Sequence, residues 1–172
     1  MRVGHVALIL SASCSGCMVG EPPASSSDLP DTTALEDART YHGLPKLNAQ
    51  PYASQVGSFH INNYVAGDMA DYRAIHPEQT GSKVNVAVGT VIVREVLDDR
   101  GAVSKLTIMA KGPPGYDPSL GDWWFGVTDP TGKPLFDKNG LAQVGRLTAC
   151  HDCHDQRASD DFLFGVPRAD DN

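Results

Sequence analysis

The chain has no apolar run approaching the ~20 residues that a membrane-spanning helix requires. Its most apolar stretch, Val6-Ala7-Leu8-Ile9-Leu10, is far shorter. Positive charge is also scarce. Fourteen Lys and Arg against 21 Asp and Glu leave a net charge of −7, so no basic surface is available to neutralise phosphates, and nucleic acid is set aside as a partner. There are only four cysteines, in two close pairs, Cys14/Cys17 and Cys150/Cys153. With one pair in the leader and the other in a motif described below, none remains to staple the body of the fold. Aromatic residues make up 7% and gather late in the chain.

What is present suits one soluble domain of ordinary size, since 41% of the residues are hydrophobic and 20% charged. Seventeen glycines and twelve prolines predict turns and short elements rather than long helices. Met1-Arg2-Val3-Gly4-His5, the apolar run and the small residues Ser11-Ala12-Ser13 have the layout of a secretory signal over residues 1–17. A cysteine soon after such a run suggests a bacterial lipoprotein. Either Cys17, preceded by Ser15-Gly16, or Cys14, preceded by Ser11-Ala12-Ser13, would carry the lipid. The expected location is therefore the periplasm, with a lipid anchor to a bacterial membrane. Residues 18–49 are rich in Pro, Ser, Asp and Thr and read as a flexible tether. The compact domain is expected over residues 50–172.

Within that domain, Ser58 to Asn62 predicts a short strand, and Tyr64 to Ile75 has helical spacing ended by Pro77. Alternation of Val84, Val86 and Val88 leads into the β-branched run Thr90-Val91-Ile92-Val93. Asp98-Asp99-Arg100-Gly101 predicts a hairpin, with Val103 to Ala110 as the return strand. After the break at Gly112-Pro113-Pro114-Gly115, Trp123 to Val127 predicts a further strand, closed by Asp129-Pro130-Thr131-Gly132. A short C-terminal helix completes the order. The expected class is α+β, mainly antiparallel sheet with a few flanking helices.

The motif is Cys150-His151-Asp152-Cys153-His154. C-x-x-C-H is the attachment pattern of c-type haem: two thiols add across the porphyrin vinyl groups, and the following histidine presents imidazole to the iron. Export and motif support one another, because such attachment takes place outside the cytoplasm. A zinc site would need a fourth ligand, commonly from a second matched pair, and His42, His60 and His76 form none. A thioredoxin-like redox pair would leave His154 unexplained. His151 reads as a solvent-facing filler.

With the motif near the C-terminal end, the chain resembles the cytochrome P460 / cytochrome c′-beta family. The matching stretches are Gly89-Thr90-Val91-Ile92-Val93-Arg94-Glu95-Val96, Pro114-Gly115-Tyr116-Asp117-Pro118, Gly121-Asp122-Trp123-Trp124-Phe125, the haem motif, and Asp161-Phe162-Leu163-Phe164, together spanning roughly residues 55–166. The resemblance implies a sheet-rich fold holding one haem c through Cys150 and Cys153. Its iron would be ligated by His154 and open on the other side to nitric oxide or another small gaseous or nitrogen-oxide ligand. It also implies a redox partner protein and a homodimer, which is common in the family. P460 members oxidise hydroxylamine and carry a lysine cross-linked to the porphyrin, and the c′-beta members lack that cross-link. At the corresponding position this chain has Arg94, whose guanidinium is a poor nucleophile. The resemblance therefore leans toward gas binding rather than catalysis, with hydroxylamine oxidation or simple periplasmic electron transfer as alternatives. Lys83, Lys105 and Lys111 remain as lysines that could form a shifted cross-link. Arg94 is the candidate propionate or distal contact; otherwise it is an outward charge paired with Glu95. Phe59, Tyr64, Trp123 and Phe125 are candidates for the distal wall, and Met69, Met109 and His60 are conceivable sixth ligands.

Overall fold

The computed structural model describes residues 31–75 and 77–167. The expected leader over 1–17, the first part of the tether and His76 lie outside the described residues. The core element is a six-stranded antiparallel sheet in simple sequential order. Its strands are β1 (Tyr52–Ala53), β2 (His60–Ala66), β3 (Val91–Leu97), β4 (Val103–Lys111), β5 (Trp123–Thr128) and β6 (Val144–Gly145). Among the described residues three α-helices flank it: α1 (Asp31–Arg39), α2 (Met69–Ala74) and α3 (Thr148–His154). The α+β class with a dominant antiparallel sheet is therefore observed. No helix among the described residues is long and apolar enough to cross a membrane.

The period-two alternation of the central strands divides the interior into two layers. On one face Val91 and Val93 of β3, Leu106, Ile108 and Ala110 of β4 and Trp124 of β5 pack beneath Ala34 and Ala38 of α1 and the following Tyr41. On the other face Ile92, Met109 and Phe125 stand in register across β3, β4 and β5. They pack with Tyr72, Ile75, Trp123, Leu163 and Val166. Gly126 lets the Trp124 ring lie flat along its own strand, since a Cβ there would meet a ring carbon at 2.6 Å.

Three expectations are corrected. Residues 31–49 are not a tether: Ala34, Ala38 and Tyr41 are fully buried. The Tyr41 hydroxyl also donates to Glu95 Oε1 at 2.7 Å, so the small alanines and one tyrosine anchor a segment whose composition looked too polar to dock. Tyr64 to Ala66 belong to β2, because Gly67 at φ +140 turns the chain before Asp68 caps the much shorter α2. The Val84–Val88 alternation forms no strand. There the Val86 amide donates to the Asp161 carboxylate at 2.7 Å instead of to a neighbouring strand. At the C-terminal end, α3 carries the cysteine motif itself, and a 3-10 helix over Asp155–Asp160 follows it.

Docking of residues 31–49 is testable. Tyr41→Phe removes one of the hydrogen bonds to the buried Glu95 carboxyl group and should cost about 1–3 kcal/mol, read as a lower urea midpoint. An unchanged midpoint would mean that this hydrogen bond contributes nothing to holding the segment.

Candidate functional site

Helix α3 places Cys150, Cys153 and His154 at i, i+3 and i+4, which is one face of a helix. That face looks onto the second layer of the sheet. Between them lies a cavity of about 210 Å³ lined by all three residues together with Arg94. The four residues singled out from the sequence, distant along the chain, thus share one wall system. His151, one position off this face, instead borders a separate cleft beside Asp117 and Arg146.

Both cysteines are free thiols and half-buried. Burial, and after it the neighbouring Cys153, pushes the Cys150 thiol up to about 11. His154 Nδ1 lies 2.6 Å from the Phe162 carbonyl oxygen. A carbonyl can only accept, so Nδ1 carries the hydrogen and Nε2 keeps the lone pair. The imidazole is flanked by Phe125 at 5.3 Å and Phe164 at 5.2 Å between ring centroids. Burial drives its pKa down to about 4; the Phe162 hydrogen bond opposes that shift and the Arg94 charge adds to it.

The opposite wall is the sheet face. Ile92, Arg94 and Val96 come from β3, Lys105, Thr107 and Met109 from β4, and Phe125 from β5. Tyr52, Gln55, Val56 and Phe59 close one side. Asn63 stands directly opposite Arg94 in the β2–β3 register, so Arg94 Nε donates to Asn63 Oδ1 at 3.0 Å. Asn63 Nδ2 in turn donates to the Tyr52 hydroxyl at 2.5 Å. This brace holds the Arg94 side chain from its Nε. Among the described residues no carboxylate pairs with Arg94. The lining holds two cationic side chains, Arg94 and Lys105, and no acidic one.

Pairing of Arg94 with Glu95 is corrected. Adjacent strand residues face opposite ways, and Glu95 is buried on the α1 side against Tyr41 and Asn62. Of the aromatic candidates, Phe59 and Phe125 line the cavity. Tyr64 instead meets Tyr41 edge-on in the other layer, and Trp123 is fully buried with Nε1 donating to the Asp161 carbonyl at 2.9 Å. Met109 lines the cavity; Met69 does not, and His60 borders a different cleft. Among the three lysines, Lys105 alone reaches the cavity wall, whereas Lys111 is buried in an ion pair with Asp161 and Lys83 lies elsewhere. The brace residues Asn63 and Tyr52 were missed by sequence reasoning. Only the pairing registers of β1 with β2 and of β2 with β3 could have found them.

Among the described residues, no three His, Cys, Asp or Glu side chains converge as a metal-ion site. No protein-family model matches the chain, and no curated protein matches it significantly.

The depressed His154 pKa has a measurable consequence for stability. Well above pH 6.5 the ring is neutral in the folded and unfolded states alike. As pH falls toward about 4, the unfolded chain binds a proton that the folded chain refuses, so stability should fall at about 1.4 kcal/mol per pH unit from this group. Denaturant melts from pH 7 to 4.5 on the wild type and His154→Gln measure it. Identical pH slopes in the two proteins would refute the assignment.

Proposed function

We propose that this chain is an exported mono-haem c-type cytochrome of the cytochrome P460 / c′-beta type, whose iron is open on one side and binds nitric oxide or a related small nitrogen-oxide ligand. Lipid anchoring through Cys14 or Cys17, a redox partner protein and a homodimer belong to the same proposal. One observation carries it: both motif thiols and a neutral, Nδ1-protonated histidine face a single cavity.

The residues present fit the group. Cys150 and Cys153 would form the two thioether links, and His154 would offer Nε2 as the proximal ligand, its orientation held by the Phe162 carbonyl. Arg94 and Lys105, with no acid beside them in the wall, suit the two propionates of a porphyrin or another anion. Bound there, haem supplies an iron that binds diatomic ligands and exchanges one electron. Ile92, Val96, Phe59 and Phe125 give the cavity apolar surfaces that exclude water and favour a small, weakly polar ligand.

Lys105 favours a second reading. It is a lysine amine in the cavity wall, two strand positions beyond Thr107, the cross-strand partner of Arg94. A cross-link from this position would move the chain to the hydroxylamine-oxidising branch.

One experiment separates these readings. The ferrous protein, prepared anaerobically, should show a high-spin c-type spectrum that shifts on adding nitric oxide. A low-spin spectrum indifferent to the gas, with Met109 the thioether in the cavity wall, would overturn open coordination in favour of electron transfer. A red-shifted ferrous Soret band with hydroxylamine turnover, both lost in Lys105→Met, would instead establish the enzyme reading.

A further inference from the structure

His154 is not oriented by its own helix alone. Its Nδ1 hydrogen meets the carbonyl of Phe162, eight residues on. Both Asp161 and Phe162 adopt left-handed backbone conformations, with φ of 52° and 63°. Neither is glycine, so each conformation is unfavourable in isolation and persists only where the surroundings impose it. Two such residues in succession, ending at the carbonyl that meets a candidate iron ligand, call for a physical cause.

The surroundings supply one. Asp161 Oδ1 accepts from Lys111 Nζ at 2.6 Å, and Oδ2 accepts from the Val86 amide at 2.7 Å. The Asp161 carbonyl accepts from Trp123 Nε1 at 2.9 Å, and the Phe162 amide donates to the Arg157 carbonyl at 2.8 Å. The Phe162 ring sits where Gly121 leaves room, since a Cβ on Gly121 would stand 2.7 Å from a ring carbon. Lys111 itself is buried at the end of β4, 5.0 Å from the centroid of the Trp123 ring. A buried ion pair in this position adds little net stability over an apolar pair, because removing both charges from water offsets most of their attraction. What the pair does add is a fixed conformation.

We infer that Lys111 and Asp161 are positioning residues for His154: their ion pair clamps the left-handed turn that aims the Phe162 carbonyl at Nδ1. The clamp thereby sets the tautomer, the ring orientation and the donor strength of Nε2. The inference rests on the proposed role of His154 as iron ligand. A hydrogen bond from the distant ring nitrogen to a carbonyl makes the coordinating nitrogen a stronger donor and favours the ferric state.

The test compares Lys111→Met and Lys111→Arg with the wild type in the haem-loaded chain. Lys111→Met should raise the reduction potential and lower the iron–histidine stretching frequency, while Lys111→Arg should restore both toward wild type. In haem-free protein, nitrogen-15 shifts of the His154 ring should report a single Nδ1-protonated tautomer for wild type and a tautomer mixture for Lys111→Met. A lower melting temperature in Lys111→Met, with potential, stretch and tautomer all unchanged, would reduce the pair to a structural role and overturn the inference. If Lys111→Met does not fold, Asp161→Asn, close in shape but without the charge that forms the ion pair, is read by the same three measurements. Absence of covalent haem in the wild type would refute the proposed function, and the tautomer measurement would still decide the clamp.

Discussion

Strand β3 sends adjacent side chains to opposite sides of the sheet, and much of the molecule depends on that alternation. Glu95 points to the side covered by α1, where Tyr41 and Asn62 hydrogen-bond to its two carboxyl oxygens. Arg94 points to the other side, where Asn63 fixes its Nε and the cavity receives the rest. A slip of one residue in the register would exchange them, placing an acid in the cavity wall and a guanidinium beneath α1. Either error buries a charged group among partners that do not suit it. The two polar networks therefore specify the register as well as decorate it, and the composition of the cavity follows from the same constraint.

The C-terminal segment adds the second constraint. Helix α3 brings two thiols and an imidazole to one face, but a helix alone leaves the imidazole free to rotate and to choose its tautomer. The residues after it remove that freedom. Arg157 donates to the carbonyls of Gln79 and Leu163, and Asp160 accepts from the amides of Gly81 and Ser82. Together with Asp161, these side chains tie the irregular loop after α2 to the segment that meets His154. This loop lacks strand pairing of its own. Its backbone donors go instead to carboxylates, which satisfies groups that burial would otherwise leave costly.

Much of this was legible in the sequence because it rests on local chemistry. The β-branched run at 90–93, the hairpin at Asp98–Gly101 and the Trp123–Val127 segment lie in strands or turns where propensity and turn residues place them. The motif Cys150, Cys153 and His154 was legible from its spacing, and helix α3 turns that spacing into one shared face. What escaped the sequence depended on distant partners. Residues 31–49 look like linker by composition, and only the sheet surface reveals Ala34, Ala38 and Tyr41 as a docking stripe. The valines at 84–88 alternate like a strand, yet Asp161 captures the Val86 amide that a neighbouring strand would need. Arg94 and Lys105 could be named as cations, but their shared cavity depends on the β3–β4 register. The bracing of Arg94 by Asn63 and Tyr52 had no local signature at all.

The central claim is that Cys150, Cys153 and His154 form a covalent haem site, and intact-mass measurement on the chain tests it most directly. The chain would be produced in cells competent for c-type maturation, denatured, and weighed beside a Cys150→Ser/Cys153→Ser variant. The account predicts one haem increment that survives denaturation in the wild type and is absent from the variant. A wild-type chain of unmodified mass under those conditions would contradict it.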